Sequence, residues 1–184
     1  DPARAEHFGR LAEALRAEGP LPGRVVHCWS VGDDADRAAA PEDVRALLHR
    51  SFDSLVHWAQ AVGAELMTQQ QRWDMLSSEV HSVLGDEPLC PPKAAVQGLC
   101  RVLPQEYPTL SCVQFDLRLQ GPQSVPDLVE QLLADLSAPP GERTIALRGR
   151  HRWAPAYAAG EPPARGASPV RDGGVYLLTG GLGK

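Results

Sequence analysis

The apolar and polar positions divide the chain into segments of two periods. Residues 5–18, "AEHFGRLAEALRAE", space Phe8, Leu11, Ala12 and Leu15 along one helix face, and Gly19-Pro20 ends the segment. "RVVHCWSV" (24–31) is a compact run of β-branched and aromatic residues that predicts a buried strand. Residues 41–62 carry Val44, Leu47, Leu48, Phe52, Leu55, Val56 and Ala59 on a wide apolar face. Pro41 suits the first turn of that helix, Glu42 and Asp43 suit its positive end, and Gly63 suits its C-cap. A short strand and loop over 73–85 run into Gly85-Asp86-Glu87-Pro88. Pro91-Pro92 opens a third long helix, with Ala95, Val96, Leu99, Cys100, Val102 and Leu103, which ends near "PQEYP". "LSCVQFDL" (110–117) alternates as a strand does, and "SVPDLVEQLLADL" (124–136) is a helix with Ser124 as N-cap and Leu128, Val129, Leu132, Leu133 and Leu136 inward. "RTIALRG" (143–149) and "RHRWAPAYA" (150–158) predict two strands that form a hairpin through Gly149. Residues 159–172 are rich in Pro, Gly and Ala and form an exposed linker, and 174–178 close the chain as a buried strand.

Strands alternating with helices of this length predict an α/β layered fold with a largely parallel sheet. The 184 residues suffice for one domain with a sizeable core. Apolar residues at 43% and charged residues at 22% match a soluble globular chain, and the mild net charge of −5 argues against a nucleic-acid surface. No apolar run reaches the ~18–20 residues of a membrane span, and no secretory signal is present. Opening on Asp1-Pro2 rather than Met suggests a piece of something longer. Cys28, Cys90, Cys100 and Cys112 are widely spaced in apolar patterns and form no CxxC pair, so buried, reduced thiols of a cytosolic protein are expected.

Few residues offer chemistry. Asp33, Asp34 and Asp36 resemble the start of a calcium loop, but the glycine and bidentate glutamate such a loop requires do not follow. His27 and His57 read as packed, hydrogen-bonded histidines, and His49 and His151 as surface residues. No HExxH or His/Cys cluster suggests a metal, and no GxSxG elbow suggests a serine hydrolase. The arginine-rich "RGRHRW" (148–153) suits either a phosphate or a partner surface. That leaves Thr179-Gly180-Gly181-Leu182-Gly183 after the last strand. Glycines there would let the backbone approach a pyrophosphate closely, and an ordinary glycine turn is the alternative. A short-chain reductase also needs Tyr-x-x-x-Lys, the tyrosine donating a proton and the lysine lowering its pKa. Four residues past Tyr107, Tyr157 and Tyr176 stand Ser111, Glu161 and Gly180, so no tyrosine of this chain qualifies.

"RVVHCWSV", "SVLGDEPLCPPKAAVQGLCRVLPQEYPTLSCVQFDL", "IALRGRHRWAPAY" and "GGVYLLTGGLGK" together resemble the ketoreductase region of modular type I polyketide synthases. The resemblance runs from about Val25 to Lys184. It implies a truncated Rossmann-like structural subdomain over 1–158, a linker over 159–172, and the first strand and glycine turn of a catalytic subdomain over 173–184. On it, Thr179, Gly180, Gly181, Leu182 and Gly183 fall on the NADPH phosphate loop of the complete ketoreductase. The family's catalytic Ser, Tyr and Asn/Lys have no counterpart, so the resemblance implies a non-catalytic unit that binds no cofactor by itself. The implied partners are the catalytic subdomain, neighbouring synthase domains and, in the parent, an acyl carrier protein-bound substrate, all in the cytoplasm and serving polyketide antibiotic biosynthesis. Two other readings stay open: the front half of an active NADPH-dependent β-ketoacyl reductase, and a flavodoxin-like nucleotide binder.

Overall fold

The computed structural model describes residues 1–32, 40–121, 123–139, 141–160 and 170–179. Five strands form one sheet in the order in which they occur: β1 (Arg24–Ser30), β2 (Gln71–Ser78), β3 (Leu110–Leu117), β4 (Thr144–Arg148) and β5 (His151–Trp153). β1 to β4 are parallel and β5 is antiparallel to β4. The predicted α/β fold with a largely parallel sheet is therefore the fold found. The hairpin also forms as expected, with Gly149 at φ 57 opening a two-residue turn between the paired Arg148 and His151.

Period-two alternation sends side chains of each strand to opposite faces, and each face has its own core. On one face Trp73, Met75, Leu110 and Cys112 meet Phe8 and Ala12 of α1 (Ala5–Glu18), Leu55, Trp58 and Ala59 of α3 (Ser54–Ala61), and Val96, Leu99 and Leu103 of α5 (Val96–Glu106). On the other, Leu76, Val113, Phe115, Leu117, Ile145 and Leu147 meet Leu128 and Leu132 of α6 (Val125–Ser137). The strands step across the sheet in one direction, yet the helix joining β3 to β4 lies on the opposite face from those joining β1, β2 and β3. That last connection thus has the opposite hand, a departure from the uniform hand that parallel connections usually keep.

The helix predicted over 41–62 is α2 (Pro41–Leu48), a π-helical turn at His49–Asp53, and then α3. The hydroxyls of Ser51 and Ser54 donate to the carbonyls of Leu47 and Arg50, at 2.8 and 2.7 Å, competing with the helical ladder where it widens. Gly63 does not cap this helix. Val62 does, and Gly63 starts a short α4 (Gly63–Leu66), where a Cβ would stand 3.4 Å from the Tyr107 hydroxyl. Ser124 is the N-cap expected, its hydroxyl accepting from the Asp127 amide.

Three expectations of burial fail. Val129 and Leu133, expected inward on α6, are 45 and 57% exposed because only the Leu128–Leu132 side of the helix meets the sheet. β1 is the sheet's edge strand, with Val26 and Trp29 nearly half exposed and Cys28 exposed, because nothing pairs with its outer side among the described residues. Cys90, Cys100 and Cys112 are buried and unbridged as expected, and burial pushes the Cys112 thiol up to about 12. Residues 174–178 form no strand. Val175, Leu177 and Leu178 are 84–100% exposed, and the segment bends locally, with the Arg171 amide donating to the Tyr176 hydroxyl at 2.6 Å. A strand needs a neighbour for its backbone groups, and no described strand supplies one.

Phe115, fully buried between β4 and α6, should carry the second core. Phe115→Ala is expected to cost about 3–5 kcal/mol, read as a fall of roughly 6–20 °C in thermal unfolding by circular dichroism. Ser124→Ala should cost about 1 kcal/mol by the same measurement.

Candidate functional site

In a parallel sheet all strands end on one edge, and ligands bind outside the carboxyl ends. Here those ends are Ser30, Ser78, Leu117 and Arg148. Residues 79–90 follow β2 and fold back over this edge, so the site is built from strand termini and that loop.

Two polar networks fill it. The first surrounds Lys93, which lies in the 3₁₀ turn Pro91–Ala95 ahead of α5 and is fully buried. Its ammonium donates to the Gly32 carbonyl at 2.6 Å, to Ser78 Oγ at 3.0 Å and to Glu79 Oε2 at 3.3 Å. Ser78 Oγ in turn donates to the Gly32 carbonyl at 2.6 Å and accepts from the Gly32 amide at 3.1 Å. Glu79 is the only described non-glycine residue with positive φ, at 65°. Its carbonyl accepts from the Cys90 amide at 2.8 Å, which fixes this strained residue from the far side of the loop.

The second network surrounds Arg148, which is 3% exposed. The guanidinium donates to Glu87 Oε1 (2.9 Å), Asp116 Oδ2 (2.6 Å), and the carbonyls of Asp116 (3.0 Å), Leu147 (3.1 Å) and His81 (2.9 Å). A guanidinium has five N–H donors, and all five are used. Asp116 also accepts from the Val80 and His81 amides at 3.1 and 3.0 Å. Glu87 accepts from the amides of Val83, Leu84 and Gly85. Burial alone would raise the Glu87 carboxyl; these amides and Arg148 outweigh it and hold it at about 2.

What remains open among Glu79, Glu87, Pro88, Leu117 and Arg148 is a cavity of about 10 Å³. That is about the room one water requires, and far below the ~300 Å³ of small-molecule sites. The arrangement binds its own side chains. Buried donors and acceptors of this kind fix loop and strand ends in one geometry, and no group here is placed as a nucleophile with a free general base.

The other expected residues lie elsewhere. Thr179 is exposed at a bend, and Gly180, Gly181, Leu182 and Gly183 lie outside the described residues, as do Asp33, Asp34 and Asp36. His27 is packed as expected. Its Nε2 lies 3.0 Å from Ser54 Oγ, and burial lowers its pKa to about 4, so it is neutral at physiological pH. The Ser54 hydroxyl donates to the Arg50 carbonyl, which leaves it to accept from His27. His57 packs against Phe8, with ring centroids 5.7 Å apart and planes tilted by 50°, and no metal-holding cluster occurs among the described residues. Within "RGRHRW" Arg148 is buried in ion pairs, while His151 and Arg152 are exposed, Arg152 on Asp135 at 2.8 Å. Sequence reasoning overlooked Lys93, Glu79, Glu87 and Asp116, and it read Arg148, within "RGRHRW", as a phosphate or partner contact rather than a buried one. The signal was a charge inside an apolar run ("PPKAAV", "VQFDL", "IALRG"), and opposite charges at the ends of two strands. Read backward from Lys93, the Tyr-x-x-x-Lys spacing lands on Leu89.

The Glu87 carboxyl has a folded-state value below its unfolded one. Its contribution to stability is therefore full above about pH 4.5 and is lost as the pH falls toward about 2. Thermal unfolding of the native chain should weaken across that window. Glu87→Gln should melt lower at pH 7 and vary less between pH 5 and 2.5, and parallel curves for the two proteins would contradict this.

Comparison with known proteins agrees with the geometry. A family model described as "Beta-ketoacyl synthase-like, N-terminal" matches residues 1–135. The pikromycin polyketide synthase component PikAIII of Streptomyces venezuelae is 30% identical over 97% of this chain, which spans 12% of that protein. The polyketide synthase ThaG of Burkholderia thailandensis is 34% identical over 86% of the chain, which spans 3% of it. Among solved structures, an adenylation, ketoreductase and pseudo Asub multidomain structure of a keto acid-selecting NRPS module superimposes with TM-score 0.71 at 19% identity, over 82% of this chain and 12% of that one. An N-terminal ketoreductase from the macrolactin assembly line gives 0.61 at 16% identity, over 80% and 28%. A short-chain dehydrogenase/reductase from Vibrio parahaemolyticus gives 0.60 at 17% identity, over 80% and 74%, so the fold is the Rossmann-like one of that class. The chain belongs to the beta-ketoacyl synthase-like N-terminal family and is similar to short stretches of polyketide synthases.

Proposed function

We propose that residues 1–158 are the structural subdomain of a polyketide synthase ketoreductase, a unit that performs no reduction itself and stabilises the NADPH-binding catalytic subdomain. The observation that carries this reading is the filled strand edge. Where a reductase would admit its ligands, Lys93 and Arg148 occupy the space, bonded to strand ends and to the loop after β2. On this reading 159–172 is the linker, and 173–184 begin the catalytic subdomain, with Thr179, Gly180, Gly181, Leu182 and Gly183 contacting NADPH only in the complete ketoreductase. Its partners are then the catalytic subdomain and neighbouring synthase domains of a cytoplasmic assembly that makes a polyketide antibiotic, and it meets acyl carrier protein-bound substrate only through them.

Exposed apolar surface supports a role in association. Val125, Val129 and Leu133 repeat every four residues along the outer side of α6 at 66, 45 and 57% exposure. Covering such surface yields ~25 cal/mol per Å², and a standard interface buries ~1,600 Å² in total. The exposed Val175–Leu178 segment gains a neighbour only in a further sheet. Expressing the catalytic half with and without residues 1–172 tests the proposal. Loss of soluble yield and of NADPH-dependent ketone reduction without them is expected, and equal yield with equal reduction would overturn it.

A further inference from the structure

The buried lysine supports a second conclusion, which stands on this chain alone. Only two of the eighteen basic residues are lysines, and one of them, Lys93, is the fully buried one. An ammonium taken out of water must find partners for all three of its N–H groups. Three acceptors from three places converge on it: a carbonyl after β1, a hydroxyl at the end of β2, and the carboxylate of the residue that follows. A tripod of this kind suits a compact, tetrahedral ammonium and does not suit the planar fork of arginine, the cation at sixteen of the eighteen basic positions.

We propose that the Gly32 carbonyl, Ser78 Oγ and the Glu79 carboxylate form a primary-ammonium site, which the chain fills with its own Lys93, and that this internal ligand closes the crevice between the ends of β1 and β2. The backbone that carries these acceptors is held by contacts other than the lysine. Ser78 is bonded to Gly32 in both directions, and Glu79 is anchored through its carbonyl by Cys90. Shortening the side chain at 93 therefore empties a cation site and removes the ammonium from a buried carboxylate, the costly way to break such a pair.

Lys93→Ala removes Cγ through Nζ, and propylammonium replaces those atoms. The variant should melt roughly 10 °C below the native chain. Propylammonium should restore at least half of that loss with saturation, while n-propanol, of the same length but uncharged, should restore none. The native chain should respond to neither, and adding Glu79→Gln to the variant should abolish the rescue. If Lys93→Ala does not fold unaided, its refolding yield with propylammonium against n-propanol reads the same quantity. In the native chain, the peptide holding Lys93 should resist acetylation when folded and react once denatured. Equal effects of amine and alcohol, a variant that melts with the native chain, or acetylation of Lys93 at the unfolded rate would each overturn the proposal.

Discussion

A parallel sheet has to be covered on both faces, and this chain meets that requirement with an unequal supply of helices. Among the described residues, α1, α3 and α5 cover one face, and the other receives only α6. α6 packs over β3 and β4, and beyond its end the face is finished by charge. Asp74, fully buried on β2, accepts from Arg24 at 2.6 Å and from Arg72 at 2.9 Å. The same two guanidiniums donate to the carbonyls of Leu136 and Ala138, at 2.6 and 2.7 Å, where the last turn of α6 leaves carbonyls unpaired and the helix dipole favours cations. One ion triad thus seats the helix and closes the sheet.

The same economy shapes the strand edge. Parallel strands leave their carboxyl ends in a row, and in open α/β sheets that row is where ligands bind. Here the loop after β2 wraps Asp116 and Glu87 in backbone amides, and Arg148 joins them. Each of these contacts uses a group that a ligand would otherwise need. The geometry therefore assigns the buried charges to fixing one shape.

The pattern of the chain revealed its regular parts well, because helix and strand periods report directly on which side is buried. α1, β1, β3, α6 and the β4–β5 hairpin stand where periodicity puts them. What periodicity cannot report is a neighbour. β1 has the composition of a buried strand but lies at the edge, and 174–178 has the composition of one but lacks a partner. The π-turn depends on two serines whose hydroxyls reach back one turn, a signal that an apolar stripe hides. Of the candidate site, the pattern pointed to Thr179–Gly183, took Arg148 for a surface cation and passed over Lys93, because single charges within apolar runs read as noise until an opposite charge faces them across the sheet.

The two cores also differ in when they can form. Every buried residue of the first lies between Phe8 and Cys112, whereas the second needs residues as late as Leu147. A chain emerging from the ribosome can thus close the first core while the outer strands and α6 are still being made. Until α6 arrives, Leu76, Val113, Phe115 and Leu117 form a bare apolar sheet face, the kind of surface on which nascent chains misassociate. This interval lasts only for the synthesis of the roughly two dozen residues that separate β3 from β4.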